Sequence, residues 1–227
     1  MTGFRRDDVV ELAPLLRRVV SLESAGLVRL RRGGARLSAM VRLPFGVLAA
    51  RTVELDEPAE DFDSTVRADE LIAWFDGARD EPPVARDEQW RGGLPPASAW
   101  RRIDTVPDAD VRPLVRSGWL AVQGAAREVV QGAAREVVQG AAREGRAGGP
   151  PMAPETAEAL LDSVVLTVAD GSDSVQVTLR TLSALTRLGF LPRGSHVAVD
   201  VSGRWVRLAA AYGSVYAERP GLALNVR

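Results

Sequence analysis

The chain has 227 residues, of which 46% are hydrophobic and 26% are charged, a composition typical of a globular protein with a sizeable core. It has no cysteine, which excludes disulfide bonds, thiolate metal sites and a thiol nucleophile. The formal net charge of -1 argues against binding to nucleic acid through bulk charge alone, although a local arginine-rich face is compatible with this total.

Arginine supplies every basic residue of the chain. All 29 basic residues are arginine, which together with the abundance of alanine, glycine and valine indicates a high-GC bacterial genome. No uninterrupted apolar run reaches the length of a signal sequence or a membrane span, so we expect a cytoplasmic protein with no membrane contact.

The first part of the chain predicts a helix followed by three strands. Apolar residues recur at helical spacing over residues 4–20, where Pro14 predicts a kink. Three strand patterns follow at residues 27–31, 36–43 and 47–55, and Gly33 and Gly34 supply the turn between the first two.

Two shorter units follow, each with a strand end, an apolar helix of about three turns and a closing glycine. They cover residues 65–77, closed by Gly77, and residues 105–118, closed by Gly118. The segment between them holds Pro82-Pro83, Gly92-Gly93 and Pro95-Pro96 where further strands are expected. It therefore predicts a linker or an irregular loop.

An eight-residue repeat, Gln-Gly-Ala-Ala-Arg-Glu-Val-Val, fills residues 123–144. Eight residues exceed two helical turns by about 80°, so the valine pairs spiral around a helix and do not line one face. We therefore expect an exposed helical or disordered insertion that contributes little to the core, followed by a flexible breaker at residues 145–154.

The last part of the chain predicts the most complete unit. A short helix at residues 155–161 and a strand at 164–168 precede it. Val175, Val177 and Leu179 then alternate with polar residues as in a strand, and a helix closed by Gly189 follows. Three more strands are expected at residues 196–201, 204–210 and 214–219.

These patterns predict an α+β fold with mostly antiparallel sheets and short helices. We interpret the chain as four copies of a strand-helix-three-strand unit, of which the outer two are complete and the inner two are eroded. The predicted division is a first half at 1–80, a linker at 81–100 and a second half at 101–227, with the repeat insertion at 123–144.

Catalytic and metal-binding patterns are weak. His196, the single histidine, begins a predicted strand without a recognisable catalytic partner, so we expect a structural or surface role. The aspartate pairs at loops and helix starts are interpreted as caps: Asp61 with Asp63, and Asp108 with Asp110. No phosphate-binding glycine loop is present, and the scattered tryptophans are assigned to core packing. We expect no enzyme activity, no cofactor and no metal.

Three stretches resemble the sliding clamps, the ring-shaped processivity factors of DNA polymerases. Residues 26–39 and 63–71 resemble the first domain of a clamp and its second helix, and residues 175–216 resemble the closing strand, helix and strands. The resemblance implies helices that line a hole and present basic residues to DNA, and an outer surface that docks peptides. It also implies that three chains with four units each would complete a twelve-unit ring, which makes a homo-oligomer a candidate state.

Two functions follow from this resemblance and from the sequence. The first is a non-enzymatic scaffold that associates with DNA or with DNA-processing proteins through arginines of the predicted helices. The alternative is a protein-binding or chaperone-like adaptor that adds a partner strand at a sheet edge and has no nucleic-acid role. The candidate DNA-backbone residues are Arg5, Arg6, Arg17, Arg18, Arg112, Arg116, Arg180 and Arg187.

Overall fold

The structure is a computed structural model that describes residues 7–44, 46–56, 60–140 and 154–219. The helices are α1 (Ala13–Leu22), α2 (Ala68–Phe75), α3 (Asp108–Gly140), α4 (Pro154–Leu161) and α5 (Leu179–Arg187). The strands are β1 (Leu27–Gly33), β2 (Arg36–Arg42), β3 (Leu48–Glu54), β4 (Phe62–Arg67), β5 (Arg101–Pro107), β6 (Val164–Ala169), β7 (Ser174–Thr178), β8 (His196–Ser202), β9 (Trp205–Ala210) and β10 (Gly213–Glu218). Short 3-10 helices span Asp7–Leu12 and Asp87–Gln89.

Eight strands form one antiparallel sheet in the order β4-β1-β2-β3-β10-β9-β8-β5, and β6 pairs with β7 separately. The first four strands come from the first part of the chain, and three of the other four come from its end. The two sets join where β3 pairs with β10, through Leu48 with Tyr216, Ala49 with Val215 and Ala50 with Ser214. The predicted α+β class and antiparallel arrangement are confirmed, and the sheet is continuous across the two halves.

The helices and alternate residues of the strands form a single core. Along β1, Val28 and Leu30 are buried while Arg29 and Arg31 point to the opposite face, as the two-residue period of a strand requires. The buried residues pack with leucines of α1, α2 and α5 in one cluster. The sheet therefore has a helical face, which holds the core, and an outer face.

The outer two units are complete, as the sequence predicts. Helix α1 precedes β1, β2 and β3, and the last unit runs from β7 through α5 to β8, β9 and β10. In the described residues, the inner units hold fewer strands, with β4 before α2, and β5 before α3 and β6 after it; residues 78–100 hold no strand. The division of the chain at residues 81–100 into domains stays a prediction.

Two predicted element starts need correction. Pro14 does not kink a long helix, because it lies in the first turn of α1, where a missing backbone N–H costs no hydrogen bond. Residues before Ala13 form a 3-10 helix from Asp7, and residues 4–6 lie outside the described residues. Leu179 begins α5 and does not end a strand, because the Thr178 side chain caps the helix by accepting a bond from Thr181 N at 3.4 Å.

The predicted closing glycines differ in role. Gly77 and Gly189 follow α2 and α5 with φ of 73° and 69°, the left-handed conformation expected after a helix. The prediction that Gly118 closes a helix is wrong, because α3 continues past it to Gly140. A Cβ at Gly118 would overlap the side chain of Leu179, so this glycine lets α3 approach α5 closely.

An arginine-aspartate network attaches the small β6–β7 sheet to the main sheet. Arg101 on β5 and Arg219 after β10 each place a guanidinium nitrogen 2.9 Å from Asp173. Asp170, in the same turn, accepts hydrogen bonds from the Ser172 hydroxyl and from the backbone N–H groups of Ser172 and Asp173. These bonds and the charge of Arg101 lower the pKa of Asp170 to about 2.

Deleting residues 123–138, two whole repeats, is expected to change the free energy of unfolding little. Three described side-chain contacts of α3 lie before the repeat: Arg112 donates to the Leu191 carbonyl, Leu179 packs on Gly118, and Trp119 Nε1 donates to Ser183 Oγ at 3.1 Å. Thermal unfolding followed by circular dichroism measures the change. Loss of the cooperative transition would show that the repeat belongs to the core. Residues 141–153, with the end of the repeat and most of the predicted breaker, lie outside the described residues.

Candidate nucleic-acid interface

The eight arginines predicted to contact DNA divide into three groups. Arg5 and Arg6 lie outside the described residues. Three others form ion pairs with carboxylates, and the remaining three have no carboxylate partner within the described part of the chain. Among the six candidates that the structure describes, the last three therefore keep their charge free for a phosphate.

Arg17 is the first of the paired residues. It extends from α1 to Asp76 at the end of α2, with 2.9 Å between its guanidinium and the carboxylate. The side chains are 60% and 48% exposed, so this pair contributes less than about 1 kcal/mol to stability. Helix α2 carries Asp69 and Glu70 in its first turn and no basic residue, so its surface does not favour DNA.

Arg112 and Arg180 support the fold. Arg112 donates to Asp108 at 2.9 Å and to the Leu191 carbonyl at 2.7 Å, which ties α3 to the segment after α5. Arg180 is only 13% exposed and forms ion pairs with Asp162, at 2.8 Å, and with Glu158. Although burial opposes it, these bonds raise the pKa of Arg180. Both guanidinium groups therefore bond to acceptors of the protein itself and are not available to a phosphate.

Arg18, Arg116 and Arg187 form what we call the helical arginine cluster. Arg18 on α1 donates to the carbonyl of Leu188, the residue after Arg187, at the end of α5. The guanidinium carbon of Arg187 lies 4.0 Å from the ring centroid of Trp119 on α3. Arg116 lies on α3 one turn before Trp119, so it shares the same side of that helix.

Trp119 differs from its sequence-based assignment, which places the tryptophans in the core. It is only partly buried, and its ring carries Arg187 while its indole N–H bonds to Ser183. Stacking and hydrogen bonding hold the aromatic ring and the guanidinium in a defined arrangement. No signal in the sequence joins these residues, because Trp119 and Arg187 lie in different units.

Three of the four aspartates of the predicted pairs, Asp61, Asp63 and Asp108, act as ion-pair or hydrogen-bond acceptors, and Asp110 lies in the first turn of α3. Asp61 accepts from Gly34 N at 3.0 Å, and Asp63 pairs with Arg29 at 2.6 Å. Asp108 accepts from Gly194 N at 3.1 Å, and its hydrogen bond with Arg112 lowers its pKa. Within the described ranges, no three His, Asp or Glu residues are grouped to hold a metal ion. None of the helices described combines the length and apolarity needed to cross a bilayer.

The sheet edges bear on the alternative function. At the β4 edge, Arg86 N donates to Thr65 O at 2.7 Å, and Thr65 N donates to Asp87 Oδ1 at 2.5 Å. These bonds occupy backbone groups that an added strand would need. On β3, by contrast, residues 51–54 extend beyond the three residues that pair with β10. This stretch is the better candidate for strand addition.

Solved structures with the same fold are bacterial sliding clamps. The chain is 14% identical to the DNA polymerase III subunit beta from Pseudomonas aeruginosa, with a TM-score of 0.53, and the match covers 95% of this chain and 63% of that chain. A DNA polymerase sliding clamp from Pseudomonas aeruginosa gives 14% identity and a TM-score of 0.52, covering 98% of this chain and 65% of that chain. The chain thus has a sliding-clamp-like fold and spans less than two thirds of these clamps.

No curated protein matches the chain. Two family descriptions together cover most of its length. Residues 4–92 match Domain of unknown function (DUF8010), and residues 95–222 match Domain of unknown function (DUF8185). Because the second match spans more than half of the sequence, the chain belongs to the family described as Domain of unknown function (DUF8185).

Proposed function

We propose that the chain is a clamp-like, non-enzymatic scaffold that associates with DNA through the helical arginine cluster. The observation that carries this proposal is that Arg18, Arg116 and Arg187 come from three helices and lack carboxylate partners in the described residues. Many arginines of the outer face are neutralised instead, such as Arg36 by Glu54 at 2.9 Å. The helical face therefore presents three uncompensated arginines from three helices to a phosphate backbone.

The arrangement favours contact with phosphates over reading of bases. Arg187 is positioned by Trp119 and Arg18 by a backbone carbonyl, so both guanidinium groups are held in place before DNA arrives. Arginine binds phosphate oxygens through paired N–H donors. Because every nucleotide carries the same phosphate, such contacts do not depend on the base sequence. We therefore expect association with little sequence preference.

A ring is part of the same proposal. The chain spans 63% of the sliding clamp it matches, and three copies of its four units would supply twelve. We therefore expect a trimer if the chain encircles DNA as a homo-oligomer. A solution mass equal to one chain would exclude a closed ring and leave only association along one side of the duplex.

The second candidate function is an adaptor that adds a partner strand. It is favoured by the stretch of β3 at residues 51–54 that extends past β10. A peptide paired there would gain backbone hydrogen bonds without any requirement for DNA. The two functions differ in their response to salt, because backbone pairing is far less sensitive to ionic strength than phosphate contact is.

Replacing Arg116 and Arg187 together by alanine is expected to weaken DNA binding and its salt dependence. For the unaltered protein, the logarithm of the association constant should fall linearly with the logarithm of salt concentration. Each neutralised phosphate contributes about -0.9 to that slope, so the double variant should be shallower by about two units. Fluorescence anisotropy with labelled duplexes of two unrelated sequences measures both quantities.

The matched control replaces Arg36 and Arg204 by alanine. Both are exposed on the sheet side, paired with Glu54 and Glu218, and their loss changes the net charge equally. This control should keep the slope of the unaltered protein. If both double variants lose the same slope, the helical cluster is not the contact. If the unaltered protein does not bind DNA even at low salt, the scaffold function fails and the adaptor takes its place.

A further inference from the structure

A cavity of about 330 Å³ lies on the outer face of the sheet, away from the helical arginine cluster. Its floor comes from adjacent strands, where Leu27 of β1 pairs with Arg67 of β4 and Arg42 ends β2. Its other walls are the turn after α1 and the loop at residues 86–91, which includes the 3-10 helix Asp87–Gln89. We call it the Trp90 cavity, and its lining residues used below are Glu23, Arg42, Arg67, Arg86, Trp90 and Arg91.

The loop over this cavity is fastened at both ends. Arg42 Nε donates to the Arg91 carbonyl at 2.7 Å, and a second nitrogen of Arg42 donates to the Gly93 carbonyl at 3.0 Å. At the other end, Arg86 N donates to Thr65 O at 2.7 Å. Because hydrogen bonds to backbone carbonyls fix the loop on the sheet at both ends, the cavity is a built part of the structure.

Positive charge exceeds negative charge around the Trp90 cavity. Four arginines line it, and Glu23 is the only carboxylate among the described residues that does so. Arg67 and Arg86 are partly compensated, since Arg67 pairs with Asp69 at 2.5 Å and Arg86 pairs with Glu70 at 2.9 Å. Arg42 and Arg91 have no carboxylate partner within the part of the chain that the structure describes, which leaves the cavity suited to an anion.

Two buried N–H donors of the cavity residues are unsatisfied. Neither Trp90 Nε1 nor Arg86 Nε has a hydrogen-bond partner among the described residues, although both atoms are buried. The Trp90 ring is held by two cations, with the guanidinium carbons of Arg29 and Arg42 each 5.8 Å from its centroid. A buried donor that has lost its bond to water without gaining an acceptor costs free energy, and both of these donors belong to residues of the cavity wall.

We propose that the Trp90 cavity binds an oxyanion of the phosphate class. Such an anion supplies a charge and several acceptor oxygens, which suit the guanidinium groups of Arg42 and Arg91 that line the cavity. The same chemistry is offered by free inorganic phosphate and by the phosphate monoester of a nucleoside. This site is separate from the proposed DNA contact, since Arg42 is on the outer face and the helical arginine cluster is on the opposite one.

The test titrates the full chain with inorganic phosphate at constant ionic strength, with chloride as the balancing anion. We expect a saturable change in tryptophan emission and a rise in the thermal midpoint that grows with phosphate concentration. Trp90→Phe should remove the change in emission, and Arg91→Ala should weaken phosphate binding at least tenfold. Arg91 suits this test because it is exposed, and only its backbone carbonyl fastens the loop.

Two further arms complete the experiment. Arg36→Ala removes an exposed arginine far from the cavity and should bind phosphate as the unaltered protein does. Adenosine monophosphate in place of phosphate separates the two sources: tighter binding identifies a monoester ligand, and equal binding identifies free phosphate. The proposal is overturned if neither ligand gives a saturable response, or if Arg91→Ala binds phosphate as tightly as the unaltered protein.

Discussion

Gly118→Leu is expected to lower the free energy of unfolding by about 1–3 kcal/mol, the usual cost of inserting atoms into a packed interior. The side chain would occupy space filled by Leu179, which is 1% exposed, so Leu179 could move only together with the neighbours packed around it. Leucine favours helix more than glycine does, so any loss arises from the contact between α3 and α5 and not from helix propensity. Urea unfolding followed by circular dichroism measures the change.

Gly124→Ala is the matched control in the same helix. No atom lies within 4 Å of a Cβ built at Gly124, so alanine should stabilise the protein by up to about 1 kcal/mol through helix propensity alone. Opposite signs for the two variants would establish that α3 packs on α5 at Gly118. Equal stabilisation by both would show that the close approach of the two helices is absent.

Gly213→Val is expected to destabilise the protein by a similar amount, about 1–3 kcal/mol, by disturbing the junction of the two halves. A Cβ there would lie 2.7 Å from the ring of Phe190 and 2.8 Å from the Ala50 carbonyl. Phe190 is 1% exposed, and Ala50 belongs to the short β3–β10 pairing that joins the halves. Neither neighbour can shift without breaking core packing or that pairing.

The readout should separate local from global loss. Hydrogen exchange of the backbone amides in β3 and β10 is expected to accelerate in Gly213→Val, while exchange in β1 and β2 changes less. Gly33→Ala is the control, since no atom lies within 4 Å of a Cβ at that strand end. Full protection of β3 and β10 in Gly213→Val would contradict the described junction.

The sequence by itself determined the elements whose signals are local. Alternating residues set the strands of the outer units, apolar spacing set the helices, and Gly77 and Gly189 marked two helix ends. The proline and glycine pairs of residues 78–100 correctly predicted a segment without strands. These signals work because strand period, helix period and left-handed glycine each depend on a few neighbouring residues.

For the candidate site, the sequence indicates the class of residue, since the arginines of the predicted helices are visible in it. It does not indicate which of these arginines are free. Arg17 and Asp76 are 59 residues apart, and Arg18 and the Leu188 carbonyl are 170 apart. Whether an arginine is paired depends on which carboxylate or carbonyl lies beside it in the folded protein. Because these partners are distant in the sequence, residue spacing does not predict them.

Only the tertiary structure decided the features on which the proposals rest. These are the pairing of β3 with β10, the place of Trp119 beneath Arg187, and the loop that forms one wall of the Trp90 cavity. Gly118 shows the reason most clearly: at the end of an apolar run it indicates a helix stop, yet it is a packing contact with a leucine of another unit. Local preference is weak, at about 1 kcal/mol for a glycine in a helix, and close packing against a distant element outweighs it.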